Sequence, residues 1–452
     1  MIFSTPLHLR SQVALTPERL QEYSARFHDD DNWQMRMNAV THNDINSLAR
    51  NRASEEQIDK HFTYRVPSSG ITNQKNTGRC WLFTGLNVVR ANVISEKGLK
   101  SFELSQNYNF FYDQLEKSNL FLENIIETAS LPMEDQKVDW LFRNVIGDGG
   151  QWTGVSDLIK KYGVVPSEIF PETKQSENTG QISRIVRRKL RKSALELREM
   201  YHAGKKAEEI REEKHRILAE VYAILATALG EPPATFTWRY ETADGTLSPL
   251  KSYTPQSFFS EFVNVDLDDY VMFMNDPSRP LNKLYEIEYD RHQADGRNWK
   301  YINLDTERLK EFAVRSLREG EAMYFSCDVG KQLDRDLGTL NPENYDYGEL
   351  FGTDLTMSKA DRIRSYESAS THGMALVGVD IDESGSPRKW LLENSWGDSG
   401  FEGHLIMSDE WFDEYMFRLV VHKSFVDEDV LKILEQKPVL LPPWDPMFQS
   451  DN

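Results

Sequence analysis

The sequence predicts an α+β protein, and three observations lead there. Residues after Gly78 form an apolar segment long enough for a buried helix. Between 181 and 229 apolar residues recur every three or four positions on a charged background, the pattern of amphipathic helices. From 311 onward the character changes to short runs rich in β-branched and aromatic residues, which read as strands. The composition suits such a fold: 452 residues, 39% hydrophobic and 28% charged, are enough for two or three domains that need neither metal nor disulfide staples.

Taken in order, helical stretches are expected around 17–28 and 43–61. The run Thr72-Asn-Gln-Lys-Asn-Thr-Gly-Arg-Cys-Trp-Leu-Phe83 is a polar turn ending in Gly78 and passing into the buried helix. A Gly-rich loop, Gly147-Asp-Gly-Gly-Gln-Trp152, precedes a helix at about 154–162, and Pro166 and Pro171 mark a break. Ile182, Val186, Leu190, Ala194 and Leu197 line one face of a helix; His202-Ala-Gly204 separates it from a second, which ends at Glu231-Pro-Pro233. Residues 234–310 are mixed, with strand-like pieces and many turn residues. Strands follow at 323–329, 373–381, 389–394 and 403–407. The tail, Pro438-Val-Leu-Leu-Pro-Pro-Trp-Asp-Pro446, is too rich in proline for helix or central strand and reads as an extended arm.

Charge and cysteine content narrow the function classes. A net charge of −19 and a pI near 5.1 oppose binding to nucleic acid phosphates or anionic lipid. No stretch approaches 18 uncharged apolar residues, so no membrane span is expected. The first ten residues do not read as a signal peptide. Two cysteines are no disulfide framework and point to a reducing, cytoplasmic compartment.

Those two cysteines differ in context. Cys80 stands at the start of an apolar helix just after a Gly turn, where the positive end of the helix dipole favours a thiolate. A buried, inert thiol is the alternative, and Cys327, inside an apolar strand-like run, fits that alternative better. A thiolate needs an imidazole. Most of the ten histidines lie in charged helical or loop segments and read as surface residues. His372 instead opens an apolar strand. A second strand ends 22 residues later in Asn394-Ser-Trp-Gly397. If the two strands are neighbours, the Asn394 amide oxygen can accept from the imidazole N–H and fix its tautomer, leaving the other ring nitrogen for the thiol. Trp396 could cover that bond; the bland readings are a turn residue for Asn394 and a core aromatic for Trp396. Oxyanion donors are available in the Cys80 backbone N–H and in the amide of Gln74, six residues upstream. No metal site or cofactor is expected.

Gln74-Lys-Asn-Thr-Gly-Arg-Cys-Trp81 resembles the Gln-Gly-x-Cys-Gly-Ser-Cys-Trp signature of papain-like peptidases, and Asn394-Ser-Trp-Gly397 matches their Asn-Ser-Trp-Gly. Thr77 stands where secreted relatives carry a disulfide-forming cysteine. Across most of the chain the sequence is similar to the bleomycin hydrolase (aminopeptidase C) family, through Asp148-Gly-Gly-Gln-Trp152, Pro233-Ala-Thr-Phe-Thr-Trp238, Cys327-Asp-Val-Gly-Lys331, Met407-Ser-Asp-Glu-Trp-Phe412 and Pro443-Trp-Asp-Pro-Met447. The resemblance implies a two-lobed papain-like fold with a large, mostly helical insertion. Residues 1–165 would be an N-terminal segment and the helical lobe, 166–310 an inserted helical or hook region for oligomer contacts, 311–433 the β lobe, and 434–452 an arm reaching the cleft. It also implies a homohexamer, peptide substrates cut from their amino ends through Cys80, His372 and Asn394, and hydrolysis of bleomycin-like amides. Gly149 and Gly150 would bond the substrate backbone, and Asn452 would offer its carboxylate to the substrate's amino group. The tail Phe448-Gln-Ser-Asp-Asn452 and His372-Gly373 depart from the family's usual Gly-Ala-Leu-Ala and His-Ala.

Two other readings compete. An acyltransferase or transglutaminase-like site would keep Cys and His but complete the triad with Asp, which Asn394 opposes. A nucleic-acid-binding or scaffolding barrel would use Arg184, Arg187, Arg188, Lys189, Arg191 and Lys192, which read better as the solvated face of an amphipathic helix, with acidic residues dominating at 208–220.

Overall fold

In the computed structural model, residues 14–55, 59–67 and 70–448 are described, and they fall into two compact units. One comprises the described residues 14–55 together with 343–356. Its helices are short: Pro17–His28, Trp33–His42, Ile45–Ala49, Arg52–Glu55 and Tyr347–Phe351. Thr16 and Asp44 cap the N-termini of the first and third. The expected helix over 43–61 is broken, because Arg50 bridges to Tyr345 and the Asn51 N–H donates to the Asn344 carbonyl, which pulls the backbone out of helix.

The other unit carries the strand and helix patterns that matter for function. α1 (Cys80–Lys97) is the buried helix; 14 of its 18 residues are buried, so periodicity is absent and it reads as continuously apolar. Gly98, in left-handed backbone, ends it. α2 (Gln106–Glu127), capped by Ser105, packs beside α1 and α3 (Trp152–Tyr162). α4 (Gly180–His202) and α5 (Ala207–Leu229) form the expected helical hairpin and pack their apolar stripes on α2.

Apart from a two-stranded sheet of Phe236–Trp238 and Lys251–Tyr253, the strands of the described residues form one sheet of 12. Its members are β1 (Tyr64–Arg65), β2 (Tyr270–Met274), β3 (Lys283–Ile287), β4 (Lys300–Asn303), β5 (Met323–Cys327), β6 (Leu333–Asp334), β7 (Thr339–Leu340), β8 (His372–Ile381), β9 (Pro387–Glu393), β10 (His404–Ser408), β11 (Met416–His422) and β12 (Val439–Leu441). The spatial order is β12-β3-β4-β2-β11-β5-β8-β9-β10-β7-β6, with β1 added to β8. The sheet crosses the expected boundary at residue 310: β2 pairs antiparallel with β11, so 270–303 is built into the same sheet as the later strands. The proline-rich tail adds β12 at the sheet edge, parallel to β3, the one place where missing N–H donors cost little. No helix among the described residues is long and apolar enough to cross a membrane.

Two packing contacts bring helix and sheet together around one place. α1 lies against β8 and β5. Arg90 of α1 pairs with Glu393 of β9 at 2.8 Å, both 3% exposed, which fixes the helix against the strand that leads into Asn394. Such a buried pair adds specificity of docking more than net stability.

Candidate active site

The two strands that the sequence needed as neighbours are paired. β8 and β9 run antiparallel, with Ala375 opposite Glu393, so His372 at the start of one lies beside Asn394 just past the end of the other. His372 Nε2 and Asn394 Oδ1 are 2.8 Å apart. That oxygen also accepts from the Ser395 N–H at 2.8 Å, so the carbonyl end of the amide is turned to the imidazole and Nε2 carries its proton. Nδ1 is left to act as a base. Trp396 lies over the ring, with centroids 4.8 Å apart and planes tilted by 32°. Burial, with a smaller contribution from the Arg335 charge, lowers the His372 pKa to about 4 against the opposing effect of the Asn394 hydrogen bond.

Cys80 is the first residue of α1 and 2% exposed. The Gly373 N–H, next in chain to His372, donates to its Sγ at 3.5 Å. A backbone donor aimed at sulfur, together with the helix N-terminus, favours negative charge there. Cys327 sits opposite His372 across the β5–β8 ladder and is fully buried; desolvation pushes its thiol well above the ordinary range. Neither cysteine is in a disulfide.

Gln74 is carried into the site by a backbone zipper. Its N–H donates to Ser395 O at 2.8 Å, Gly397 N–H donates to Thr72 O at 3.1 Å, and Asn73 bridges to Trp396. The side-chain oxygen accepts from the Ser395 hydroxyl at 2.6 Å and the amide donates one hydrogen to Thr77 O at 2.6 Å. The amide is thus clamped at both ends, with its second N–H available as an oxyanion donor.

Gly149 and Gly150 lie beside a cavity of about 150 Å³ that is also lined by Gln151, Asp290, Arg418 and Phe448. The Trp81 indole donates to Asp148 O at 2.7 Å, tying the Gly segment to the residue after Cys80. Phe448, the last described residue, reaches this cavity and packs on Trp140 with centroids 5.5 Å apart. Arg418 holds the tail by donating to Met447 O at 2.6 Å, and Arg279 pairs with Asp445. Asn452 lies outside the described residues.

Two histidines besides His372 depart from the surface reading given to most of them: His404 of β10 is 3% exposed, and His292 lies beside the site. His292 is 5% exposed, with Nδ1 at 2.6 Å from Asp113 Oδ1 and Nε2 at 3.3 Å from Gln151 Oε1. Its ring meets Trp81 edge-on at 4.7 Å and fills the space beside Gly150 and Gly154. Asp113 also binds Lys117 at 2.9 Å, and Lys117 donates to the carbonyls of Gly147 and Gly149 at 3.2 and 2.6 Å. The Gly segment therefore rests on an Asp113–His292–Lys117–Gln151 network drawn from α2, α3 and the loop after β3. No periodicity marks His292, and only the proximity of three distant segments reveals it.

The sequence model of the peptidase C1-like family matches residues 14–448. The chain belongs to the peptidase C1-like family. The chain is similar to aminopeptidase C of Lactobacillus delbrueckii subsp. lactis, 40% identical over 436 residues, covering 95% of this chain and 97% of that protein. Human bleomycin hydrolase is 37% identical over 450 residues, covering 97% of this chain and 99% of its own. The crystal structure of PepW from Lactobacillus rhamnosis HN001 superposes with a TM-score of 0.94 at 37% identity, covering 97% of this chain and all of that one. The fold is thus the papain-like α+β fold, and this member of the peptidase C1-like family is a papain-like cysteine-type aminopeptidase, a hydrolase.

Proposed function

We propose that the chain removes residues from the amino ends of peptides through a Cys80–His372–Asn394 thiolate mechanism with an acyl-enzyme intermediate. The observation that carries the reading is the ordered set at one place: a helix-start thiol receiving the N–H of Gly373, next in chain to His372, and an imidazole whose Nε2 is held by Asn394. Nδ1 of His372 takes the Cys80 proton. The sulfur attacks the scissile carbonyl carbon, and the resulting oxyanion is met by the Cys80 N–H and the Gln74 amide. The carbon–nitrogen bond then breaks as the imidazolium gives its proton to the leaving amine. Water, deprotonated by the same imidazole, attacks the thioester; the first residue leaves as an acid and the thiol is restored. Asn394 orients the ring throughout, and Trp396 keeps water from the Nε2–Asn394 bond.

Restriction to amino ends is assigned to the tail. The arm is tied down as far as Phe448 beside Gly149 and Gly150, four residues from the carboxylate of Asn452. That carboxylate would fill the cleft beyond the first residue and pair with the substrate ammonium, while Gly149 and Gly150 bond the substrate chain. By likeness to their bacterial and mammalian relatives, cytoplasmic location, a homohexamer and hydrolysis of bleomycin-like amides belong to the same reading; nucleic acid does not. A product time course on an unblocked peptide and its N-acetylated copy tests it. Stepwise loss of single residues from the unblocked peptide alone is expected. Internal cuts in both would overturn the aminopeptidase assignment while leaving the thiolate chemistry intact.

A further inference from the structure

We infer that Arg335 is a substrate-binding residue on the leaving-group side, selecting short peptides that end in a free carboxylate. The inference rests on the mechanism proposed above and goes beyond it by naming a substrate class.

The guanidinium of Arg335 lies 4.6 Å from the centroid of the Trp396 ring, a cation–π contact. The same indole lies 4.8 Å from the His372 ring. Arg335 is exposed, and among the described residues no carboxylate is within ion-pairing distance of it. Asp334 and Asp336 adjoin it in sequence, yet the guanidinium is placed on the aromatic face. Its field reaches the site, since it is one of the charges acting on the His372 imidazole. Left uncompensated, that charge opposes the imidazolium the reaction must form.

The chemistry says which part of a substrate passes here. In the mechanism proposed above the acyl part binds Gly149 and Gly150, in the segment that Trp81 ties to the start of α1. The leaving amine must come within reach of the His372 proton, so the leaving segment runs along the His372 and Trp396 side. Two successive ring contacts separate guanidinium and imidazole. At roughly 3.5 Å per extended residue, a leaving segment of one to three residues spans that gap. Its terminal carboxylate then meets the five donors of the guanidinium, which matches carboxylate geometry. Pairing also cancels the charge that disfavours the imidazolium, so the bound carboxylate assists protonation of the leaving amine.

The test compares a tripeptide acid with its C-terminal amide, using wild type, Arg335→Gln and Arg335→Lys. In wild type kcat/KM should favour the acid by roughly three- to tenfold, the range for a partly exposed charge-assisted pair. Arg335→Gln should bring the ratio close to one, and Arg335→Lys should restore part of it. An acid-to-amide ratio that is the same in wild type and Arg335→Gln overturns this inference alone. Failure of wild type to release the first residue from either peptide overturns the aminopeptidase reading, and this inference with it.

Discussion

Gly150 offers the sharpest test of the network beneath the cleft. A Cβ built there would stand 2.3 Å from Cε1 and 2.7 Å from Nε2 of His292, and 2.8 Å from Cδ2 of Trp81. Neither neighbour can withdraw cheaply. His292 is held by Asp113 at 2.6 Å and already fills the space beside Gly154, where an added Cβ would also stand 2.3 Å from its ring. Trp81 is fully buried and bonded to Asp148 O, and any shift of it pulls on Cys80. The backbone at Gly150 has no positive φ, so alanine itself is compatible with the fold and would gain about 0.4–1 kcal/mol from the unfolded chain. Overpacking at about 1–3 kcal/mol outweighs that gain.

Gly150→Ala should therefore be destabilised by about 1–2 kcal/mol and should lose roughly tenfold or more in kcat/KM. The deciding measurement is a double-mutant cycle with His292→Ala, reading both the denaturation midpoint and kcat/KM on an aminoacyl arylamide. Removing the imidazole leaves Asp113 still paired with Lys117, so the cost of His292→Ala is mostly the lost packing. The double variant should recover at least ~1 kcal/mol relative to the sum of the single effects. Additive losses would show that His292 does not set the position of Gly150, and the packing argument would fall.

Other consequences can be checked more briefly. Iodoacetamide mapped by mass spectrometry should modify Cys80 far faster than Cys327, and Cys80→Ala should abolish turnover; equal labelling of the two thiols would count against the thiolate assignment. Gln74→Ala should lower kcat by roughly 100-fold with little change in KM, the loss expected for one oxyanion donor, and normal turnover would remove it from the site. His372 gives stability a pH dependence with a defined sign. Its folded pKa of about 4 lies below the ordinary 6.5, so the unfolded chain takes up the proton first, and stability present above pH 6.5 is lost as pH falls toward 4. The loss is at most about 3 kcal/mol, and denaturation curves of Cys80→Ala with and without His372→Gln should diverge in that window. Deleting residues 449–452 should let N-acetylated peptides be cut internally; continued trimming of free amino ends only would dismiss the tail as the ruler.

Much of the site was legible because its parts are local or paired by simple rules. A thiol at a helix start follows from Gly78 and the apolar run after it. The His372–Asn394 bond follows once two strand patterns are taken as neighbours, since an antiparallel pair puts the start of one beside the end of the next. The helical hairpin was legible from its stripe, with the polar linker at 203–206 separating the two helices. The segment at 43–61 was not, because its helical tendency yields to backbone bonds from residues 344 and 345, nearly three hundred positions away. The strands at 270–303 were similarly opaque. Two of them have polar or charged residues at their starts, and their place in the main sheet depends on β11, far along the chain.

What stayed hidden shares one physical character: side chains whose roles come from a surface assembled by others. His292 has no apolar rhythm to betray it, and its burial is made by Gly150 and Gly154 of one stretch and Trp81 of another. Arg335 sits in a turn-rich stretch where a charged residue is unremarkable, and only the indole beneath it gives it a position. Trp396 connects the two kinds of information. Its place after Asn394-Ser marks it as the cover of a hydrogen bond, and one contact with the imidazole suffices for that role. The same ring holds the guanidinium where a leaving peptide must pass. An Arg335 variant can therefore change which peptides are preferred with the His372–Asn394 bond in place, whereas a Trp396 variant must disturb both. Trp396→Phe should consequently lower kcat on the tripeptide amide as well as the acid, and a loss confined to the acid would mean that Trp396 serves only as the platform for Arg335.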